Sequence, residues 1–581
     1  MVTSPEPHQS PFAKSYQAQY TPPSKCSFNR ATFNLTVTSR GRQFDRLAIA
    51  YFGDVEIWRT STAEPTADGI EWTIVKDMST YLSLLQQPQK LIFDLGNLVD
   101  STYTGTYNAT LTATYFTAED TIDHADLIVP VSARQSANNA ASVFSVPSQN
   151  ATNNLTLPRN IRKAVFSLSA TGQINEEFWY SNVLSSDVDT FGVGSLLGYS
   201  PFREVQLFID GGLAGVAWPF PVIFTGGIVP GLWRPIVGID AFDLREDEID
   251  ITPWLPLLCD GASHSFEIRV AGINDDGKGS GRLTETVGNF WLITGKVFMW
   301  LDPAGSITTG TQPAVSAPAP SIVLTQSIGT DHNGTNETLS YTVKVARQLS
   351  VSSTLDTWGN QRQAVWQQQL EYSNEDHLSS YGNDQLTLQD TKGYDYASTG
   401  YSRRINHPIT LNSSFYQDAG SGNFTILATL QRGQTIQIEG QPVLPTGLQS
   451  FGTLQNERNL DPLFQGSSLV TTQNGTATYE AFPAAASSVS FGNTEQDMVF
   501  SGIRFDSGSS VMYFPSISGN TELYHRYVAA VNGSVTKDDE SLIGRPFDGY
   551  RGPPGSAVRG PQHVFAASRA RDMLGRGPFA H

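Results

Sequence analysis

The stretch FDRLAIAYFGDVEIWRTSTAEP, residues 44–65, decides the fold of the first part of this chain. Apolar and small or polar side chains alternate over 47–52 and again over 55–59. Gly53-Asp54 stands between the two runs and is a common two-residue turn. A period of two on both sides of such a turn predicts a tight antiparallel β-hairpin.

The register of this hairpin gathers ionisable groups at one end. Pairing of Phe52 with Val55 places Asp45 across from Thr62 and diagonal to Glu64. Diagonal neighbours share a face and lie about 7–8 Å apart, before any bulge is considered. Ordinary solvated strand ends also carry such charges, so the cluster alone leaves its purpose open. The candidate residues of the hairpin are Asp45, Arg46, Glu56, Trp58, Arg59 and Glu64.

Composition predicts an all-β protein of two to four domains. A chain of 581 residues is too long for one core, and 51 Gly and 32 Pro indicate many turns. The net charge of −18 excludes a nucleic-acid partner, whose phosphates would be repelled. We expect two adjacent jelly-roll or β-sandwich domains, a further β-rich domain and a monomeric state.

Breaks in composition divide the chain into six segments. An Asn/Ser/Ala-rich stretch and a Pro/Ala/Ser linker separate three runs of alternating residues. The predicted segments are an N-terminal arm (1–25), a first jelly roll (26–135), a second jelly roll (155–303), the linker (304–320), a C-terminal β domain (321–545) and a flexible or docked tail (546–581).

The second jelly roll repeats the plan of the first. Residues 202–211 (FREVQLFIDG) follow the charged-entry, strand and Asp/Gly-turn order of 44–54. Asp77 and Asp250 each precede a short leucine-rich segment, where we expect helix or turn caps. An internal echo of this kind favours two related sandwich units.

Several features favour an extracellular or vacuolar protein. Ten Asn-x-Ser/Thr sites are possible glycosylation sites. Residues 1–24 lack the apolar core of a signal peptide, so we expect a mature chain, with a cytosolic protein as the alternative. The uncharged segment 211–233 contains three prolines and is predicted to be a loop system rather than a membrane span. The ten sites are Asn34, Asn108, Asn150, Asn154, Asn333, Asn336, Asn412, Asn423, Asn474 and Asn532.

Cys26 and Cys259 are the whole supply of cysteine. Their spacing fits no zinc or redox motif. A disulfide between them would tie the first domain to the second, as in proteins of oxidising compartments, and a buried thiol pair is the alternative. No cofactor or metal ion is expected.

Unusual strings outside the hairpin carry a family resemblance. With the hairpin, they resemble the plant and fungal peptide N-glycosidase A family over about residues 25–300. Those enzymes are amidases that act on N-linked glycans attached to asparagine. The strings are Trp72, 76–77 (KD), 94–97 (DLGN), 104–107 (TGTY), 175–182 (NEEFWYSN), 201–205 (PFREV), 209–211 (IDG) and 219–238 (PFPVIFTGGIVPGLWRPIVG).

The resemblance also implies a site at the interface of the two jelly rolls. Bacterial F-type enzymes carry an Asp-Arg pair after an aromatic residue, a pattern that Phe44-Asp45-Arg46 matches. It implies Asp45 as the principal catalytic carboxylate with Arg46 beside it. Glu177 and Glu204 are the two candidates for the assisting carboxylate, and Glu56 or Glu64 could supply a further acid.

Amide hydrolysis needs a base for water, a proton donor for the departing nitrogen and a partner for the oxyanion. The nine histidines are scattered and no Gly-x-Ser-x-Gly elbow occurs, so carboxylates are expected to transfer the protons. A two-carboxylate glycosidase and a non-catalytic glycan-binding protein are the alternatives. The predicted substrates are N-glycosylated peptides and unfolded glycoproteins. The predicted substrate-binding residues are Glu56, Trp58, Arg59, Glu64, Trp179, Trp233 and Arg234. Packing in the core is the alternative for the three tryptophans, and a structural ion pair is the alternative for Arg234.

Overall fold

The computed structural model describes residues 2–3, 15–118, 123–192, 195–451, 464–485, 487–505 and 517–546. Strands dominate this part of the chain, which confirms the all-β prediction. No helix among these residues has the length and apolar character needed to cross a membrane. The predicted tail, 546–581, lies outside the described residues apart from Pro546.

The first unit is a sandwich of two four-stranded antiparallel sheets. One has the order β1-β8-β3-β6 and the other β2-β7-β4-β5. Phe33 and Phe52 meet edge to face between the sheets, with ring centroids 6.1 Å apart. Residues of the predicted arm therefore join this unit, because β1 and β2 pair with its strands. The strands are β1 (Val2–Thr3), β2 (Tyr16–Tyr20), β3 (Arg30–Arg40), β4 (Leu47–Phe52), β5 (Val55–Ser61), β6 (Ile70–Asp77), β7 (Gln89–Leu95) and β8 (Thr106–Phe116).

The predicted hairpin is β4–β5, and its turn is confirmed. Phe52 pairs with Val55, and Gly53 adopts the left-handed conformation (φ 57°) that glycine allows. The predicted register is wrong beyond Tyr51, because a β-bulge leaves Ile57 unpaired and Ala50 pairs with Trp58.

The second unit is also a two-sheet sandwich. One sheet has the order β10-β18-β12-β15 with β9 added on β18, and the other has β11-β16-β13-β14 with β17 added on β16. Phe166 and Phe266 stack between them at 6.4 Å. The strands are β9 (Leu127–Val131), β10 (Phe144–Val146), β11 (Thr152–Leu155), β12 (Ile161–Gly172), β13 (Glu204–Ile209), β14 (Gly212–Ala217), β15 (Asp247–Asp250), β16 (His264–Asp275), β17 (Gly281–Thr284) and β18 (Trp291–Leu301).

The C-terminal unit is one 13-stranded antiparallel sheet whose inner face packs on the second unit. Its order runs β19-β22 and then from β22 to β31 in sequence, with β20 and β21 also on β22. Two strands of the predicted linker thus belong to it. The strands are β19 (Thr309–Gly310), β20 (Ala314–Ser316), β21 (Ser321–Thr330), β22 (Asn336–Thr357), β23 (Asn360–Ser379), β24 (Asp384–Ala397), β25 (Tyr401–Gln417), β26 (Phe424–Glu439), β27 (Gly466–Phe482), β28 (Ser487–Phe505), β29 (Ile517–Val531), β30 (Ser534–Leu542) and β31 (Arg545–Pro546).

Helices are short and repeat the predicted echo. Asp77 accepts a hydrogen bond from the Ser79 N–H and Asp250 from the Thr252 N–H, each at 2.8 Å, so both aspartates are caps as predicted. The α-helices are α1 (Leu82–Leu85) and α2 (Leu255–Leu258). The 3₁₀ segments are Ser79–Tyr81, Ser136–Asn138, Ile174–Ser181, Ser185–Asp187, Pro230–Trp233, Thr252–Trp254, Ser380–Gly382, Leu448–Phe451 and Pro483–Ala485.

The two cysteines are free thiols, so the predicted disulfide is wrong. Cys26 is exposed in the connection between β2 and β3, whereas Cys259 is buried in the core of the second unit. Because only one of them is buried, the alternative of a buried thiol pair is wrong as well.

Candidate active site

Two carboxylates stand just beyond the ends of the β4–β5 hairpin. The Thr62 N–H donates to the Arg46 carbonyl at 2.9 Å, so Arg46, rather than the predicted Asp45, lies opposite Thr62. A side chain built at Gly226 would lie 2.7 Å from Asp45 Oδ1 and 2.8 Å from Glu64 Oε1. Asp45 and Glu64 therefore lie against the same face of Gly226, and only a glycine permits so close an approach.

A third carboxylate, Glu177, approaches the other two from the second unit. It lies in the 3₁₀ segment Ile174–Ser181, which kinks at Phe178 (φ −110°, ψ 27°). Its charge interacts with those of Asp45 and Glu64. The structure thus brings together three of the predicted acids, two from the first unit and one from the second.

Burial raises the pKa of all three acids. Burial raises the pKa of Asp45 to about 6. The hydrogen bond that Asp45 accepts from the Gly226 N–H and the positive charge of Arg46 oppose this rise. Burial raises the pKa of Glu64 to about 7, with Arg234 opposing and Asp45 reinforcing. Burial, then the charges of Asp45 and Glu64, hold the pKa of Glu177 well above its usual range. Such a cluster retains protons at mildly acidic pH.

Two predicted arginines border the cluster. Arg234 donates to Glu64 Oε2 at 2.8 Å in a largely buried ion pair. Arg46 donates from Nε and Nη2 to Gln43 Oε1 at 3.1 and 2.7 Å, and its guanidinium lies 5.2 Å from the centre of the Tyr103 ring. Gln43 and Tyr103 thereby hold the positive charge beside Asp45.

Tyr107 fixes the backbone that carries Asp45, a role that the sequence reasoning missed. Its hydroxyl donates to the Phe44 carbonyl at 2.5 Å and accepts from Thr62 Oγ1 at 2.9 Å. Both strand ends of the hairpin are therefore tied to one buried phenol. Tyr107 belongs to the TGTY string, so the only sequence signal was its place in that string.

The 219–240 loop supplies the opposite wall. Thr225 Oγ1 donates to the Thr62 carbonyl at 2.9 Å, next to the Gly226 that contacts Asp45. Gly226 thereby serves as an N–H donor to a carboxylate.

Glu204 lies away from the cluster, against the prediction that it assists Asp45. Its carboxylate accepts from Trp218 Nε1 at 3.0 Å and pairs with Arg347 of β22 at 3.2 Å. The side chain is 0% exposed, which places it between the second unit and the C-terminal sheet. These contacts show that Glu204 links the second unit to the C-terminal sheet.

Glu56 and Arg59 form a buried bidentate pair, so their predicted contact with substrate has no support. Arg59 donates from Nε and Nη2 to the two Glu56 oxygens at 2.9 and 2.8 Å. Across the interface, Arg59 donates to Thr171 and Glu56 accepts from Thr294. The pair links the first unit to the second.

The three predicted sugar-stacking tryptophans are covered by protein. Trp58 is 1% exposed in the core of the first unit, and Trp179 is 6% exposed beside Trp291. Trp233 is 2% exposed and donates from Nε1 to the Gly227 carbonyl at 2.7 Å. These residues shape the walls of the site instead of offering an open aromatic face.

No group of three or more His, Cys, Asp or Glu in the described ranges is arranged to hold a metal ion.

Comparison with known proteins bears on this geometry. The family model for peptide N-acetyl-beta-D-glucosaminyl asparaginase amidase A matches residues 8–317, and that for the PNGase A C-terminal domain matches residues 340–415. The chain belongs to the peptide N-glycosidase A family. A family relative from Prunus dulcis, peptide-N4-(N-acetyl-beta-glucosaminyl)asparagine amidase A, is 34% identical over 437 residues, 71% of this chain and 72% of the relative. The solved structure of PNGF-II matches with a TM-score of 0.33 and 11% identity over 52% of this chain and 65% of that chain, a likeness too low to support any conclusion.

Proposed function

We propose that this protein hydrolyses the amide bond between an N-linked glycan and asparagine, with Asp45, Glu64 and Glu177 as its acid–base groups. Family membership supports the reaction. The observation that carries the assignment of residues is the close approach of Asp45 and Glu64 at Gly226, together with the interaction of the Glu177 charge with both. Perturbed acids grouped in a recess are typical of catalytic sites.

Asp45 is the general base in this proposal. It has the lower of the two pKa values, about 6 against about 7 for Glu64, because a backbone N–H and Arg46 stabilise its anion. It removes a proton from water as the oxygen attacks the amide carbon. Gln43 holds the Arg46 guanidinium, whose charge stabilises the Asp45 anion.

Glu177 is the general acid. Its raised pKa keeps the carboxyl protonated, so it can donate to the amide nitrogen as the carbon–nitrogen bond breaks. The glycan leaves as a glycosylamine and the new carboxyl group remains on the peptide. The proton taken up by Asp45 then returns to Glu177, which restores the starting state.

Glu64 and Arg234 complete the charge balance. Their ion pair places one guanidinium beside Glu64, whose charge acts on Glu177. Arg234 is the nearest donor for the oxyanion on the 219–240 loop, and Glu64 orients it. Loss of either residue changes the proton affinity of Asp45.

The substrate class follows from the family. We propose N-glycosylated peptides and unfolded glycoproteins as substrates, acted on by a secreted or vacuolar monomer. None of the ten sequon asparagines is buried, which supports passage through a glycosylating compartment. The exposed ones are Asn108, Asn150, Asn154, Asn333, Asn412 and Asn532, and the other four are half-buried.

Product analysis tests the proposal. A glycopeptide incubated with the protein should emerge with aspartate at the attachment site and one oxygen from isotopically labelled water. An endoglycosidase would leave one sugar on asparagine, and a binding protein would leave the glycopeptide intact. Either of those products would overturn the proposal.

A comparison of substrates tests the access argument. A denatured glycoprotein should be deglycosylated faster than the same glycoprotein in its folded state, because a folded sequon cannot present its amide to the recess. Equal rates for the two forms would contradict this expectation.

A further inference from the structure

The inner face of the C-terminal sheet holds the backbone of the 219–240 loop. This loop has no strand of its own between β14 and β15, so its carbonyl and N–H groups need other partners. Gln473 Nε2 donates to the Val237 carbonyl at 2.9 Å, and Thr494 Oγ1 donates to the Leu232 carbonyl at 2.7 Å. Ser490 Oγ accepts from the Gly231 N–H at 2.9 Å.

Two neighbouring residues on β26 extend this contact along the loop. Arg432 donates from Nη2 to the Pro221 carbonyl at 2.9 Å, and its guanidinium lies 4.6 Å from the centre of the Phe220 ring. Gln434 donates to Asp240 Oδ2 at 2.6 Å. Three adjacent strands, β26 to β28, thus support the loop from end to end.

Close packing leaves the loop little freedom against the sheet. A side chain built at Gly231 would lie 2.8 Å from Ser490 Oγ and 2.9 Å from the Phe491 backbone. One built at Gly475 of β27 would lie 2.9 Å from Leu232 Cδ2. Both positions need glycine for the loop and the sheet to approach each other this closely.

The opposite side of the same loop faces the acids. Gly226 donates its N–H to Asp45, and Arg234 donates to Glu64. Trp233 ties these two positions together through its bond to the Gly227 carbonyl. A shift of the loop would therefore displace both groups that stabilise the anions of the site.

We propose that the C-terminal sheet is part of the catalytic unit, with Gln473, Ser490 and Thr494 as positioning residues that hold Gly226 and Arg234 against the carboxylates. The expected kinetic effect rests on the proposed function, but the contact between the C-terminal sheet and the 219–240 loop is a property of the fold. Gln473 and Thr494 are 1% and 5% exposed, so water offers the loop carbonyls no ready substitute.

The test is the double variant Gln473→Leu/Thr494→Val in the full-length protein. We expect hydrogen exchange in 219–240 to accelerate and kcat to fall about tenfold or more, since small misplacements of catalytic groups are costly. KM should change little. The acid limb of the kcat profile should move to higher pH, because the displaced Gly226 N–H and Arg234 no longer lower the carboxyl pKa values.

Thr472→Val is the matched control, because Thr472 neighbours Gln473 on the exposed face of β27. It should leave exchange, kcat and the pH profile unchanged. A double variant that loses only thermal stability, with wild-type exchange in the loop and an unmoved acid limb, would overturn the proposal. If the wild type proved inactive and the double variant still showed faster exchange in the loop, the support of the loop by the C-terminal sheet would be upheld. Only the amidase assignment would then be refuted.

Discussion

Glu176 and Glu177 are neighbours in one short 3₁₀ segment, yet they lie in opposite surroundings. Glu176 is 0% exposed and accepts two hydrogen bonds from Arg203, at 2.6 and 2.7 Å, and a third from Trp291. Glu177 faces two other carboxylates instead. The pKa of Glu176 is lowered, because Arg203 and its other hydrogen-bond donors outweigh burial, and that of Glu177 is raised. Paired acids stabilise the fold, whereas acids grouped with like charges are available for proton transfer.

The largest effect is expected on activity at the unpaired acids. Asp45→Asn and Glu177→Gln should each lower kcat by about 10²–10⁴-fold, because each removes one proton-transfer group. Initial rates of glycopeptide hydrolysis and a thermal melt measure activity and folding separately. Loss of activity below tenfold in either variant would contradict its catalytic role.

The reverse pattern is expected at the paired acid. Glu176→Gln should cost about 3–5 kcal/mol of unfolding free energy, because it leaves the buried Arg203 guanidinium without its counter-charge. Chemical denaturation measures this loss. Adding Arg203→Met to the same chain should recover part of it, and a single variant as stable as wild type would show that the pair is dispensable.

A smaller effect is expected at the ion pair that borders the site. Arg234→Met removes a charge-assisted hydrogen bond worth about 1.5–3 kcal/mol, so kcat/KM should fall about 10- to 150-fold. Arg234→Lys, which keeps the charge, should retain more activity and serves as the control. Equal activity in the two variants would show that the charge of Arg234 is irrelevant.

Stability should change with pH in opposite directions for the acids grouped with like charges and for the acids paired with arginine. Asp45 and Glu64 titrate near 6 and 7 in the native state instead of 3.8 and 4.5, so the native state holds protons that the unfolded chain releases. These groups therefore lower stability as the pH rises from about 4 to about 7. The variant Asp45→Asn/Glu64→Gln should be more stable than wild type at neutral pH and not at pH 4, as thermal melts at each pH would show.

Glu56 should behave in the opposite way. Its native pKa is lowered, because Arg59 and hydrogen-bond donors outweigh burial, so its contribution is present above its unfolded pKa and is lost on acidification. Glu56→Gln should destabilise the protein at neutral pH, with a smaller penalty in strong acid. The same sign for both variants would contradict the distinction between paired and grouped acids.

The smallest effect is expected at the exposed thiol. Cys26→Ser should change the unfolding free energy by no more than about 0.5 kcal/mol, since Cys26 is exposed and free. Addition of a reductant should likewise leave the melting temperature of wild type unchanged. A clear loss of stability on reduction would show that the cysteines pair.

Local pattern predicted the hairpin, its turn and the all-β class, because alternation and turn residues act over a few positions. The bulge at Ile57 could not be predicted, since it depends on packing against the rest of the unit. For Trp58 the pattern left burial in the core and contact with substrate as two open alternatives, and packing decides for the core. Alternation cannot say on which side of a strand the core lies when both sides carry apolar residues.

The site was predictable only as a set of candidates. Nothing local separates Glu176 from Glu177, because the distinction comes from Arg203, 27 residues further along the chain. Glu204 was favoured for its motif, yet its partner Arg347 comes from a different sheet. Such choices are made by contacts between units, which one sequence does not display.

The glycine at position 226 also has a consequence for ligand binding. A neutral substrate that covers the exposed parts of Asp45 and Glu64 beside Gly226 would desolvate these two carboxyls further and raise their pKa values again. Binding should then draw protons from the buffer, and the heat measured by calorimetry should depend on the ionisation enthalpy of that buffer. The enzyme would then bind its substrate and take up protons in the same step.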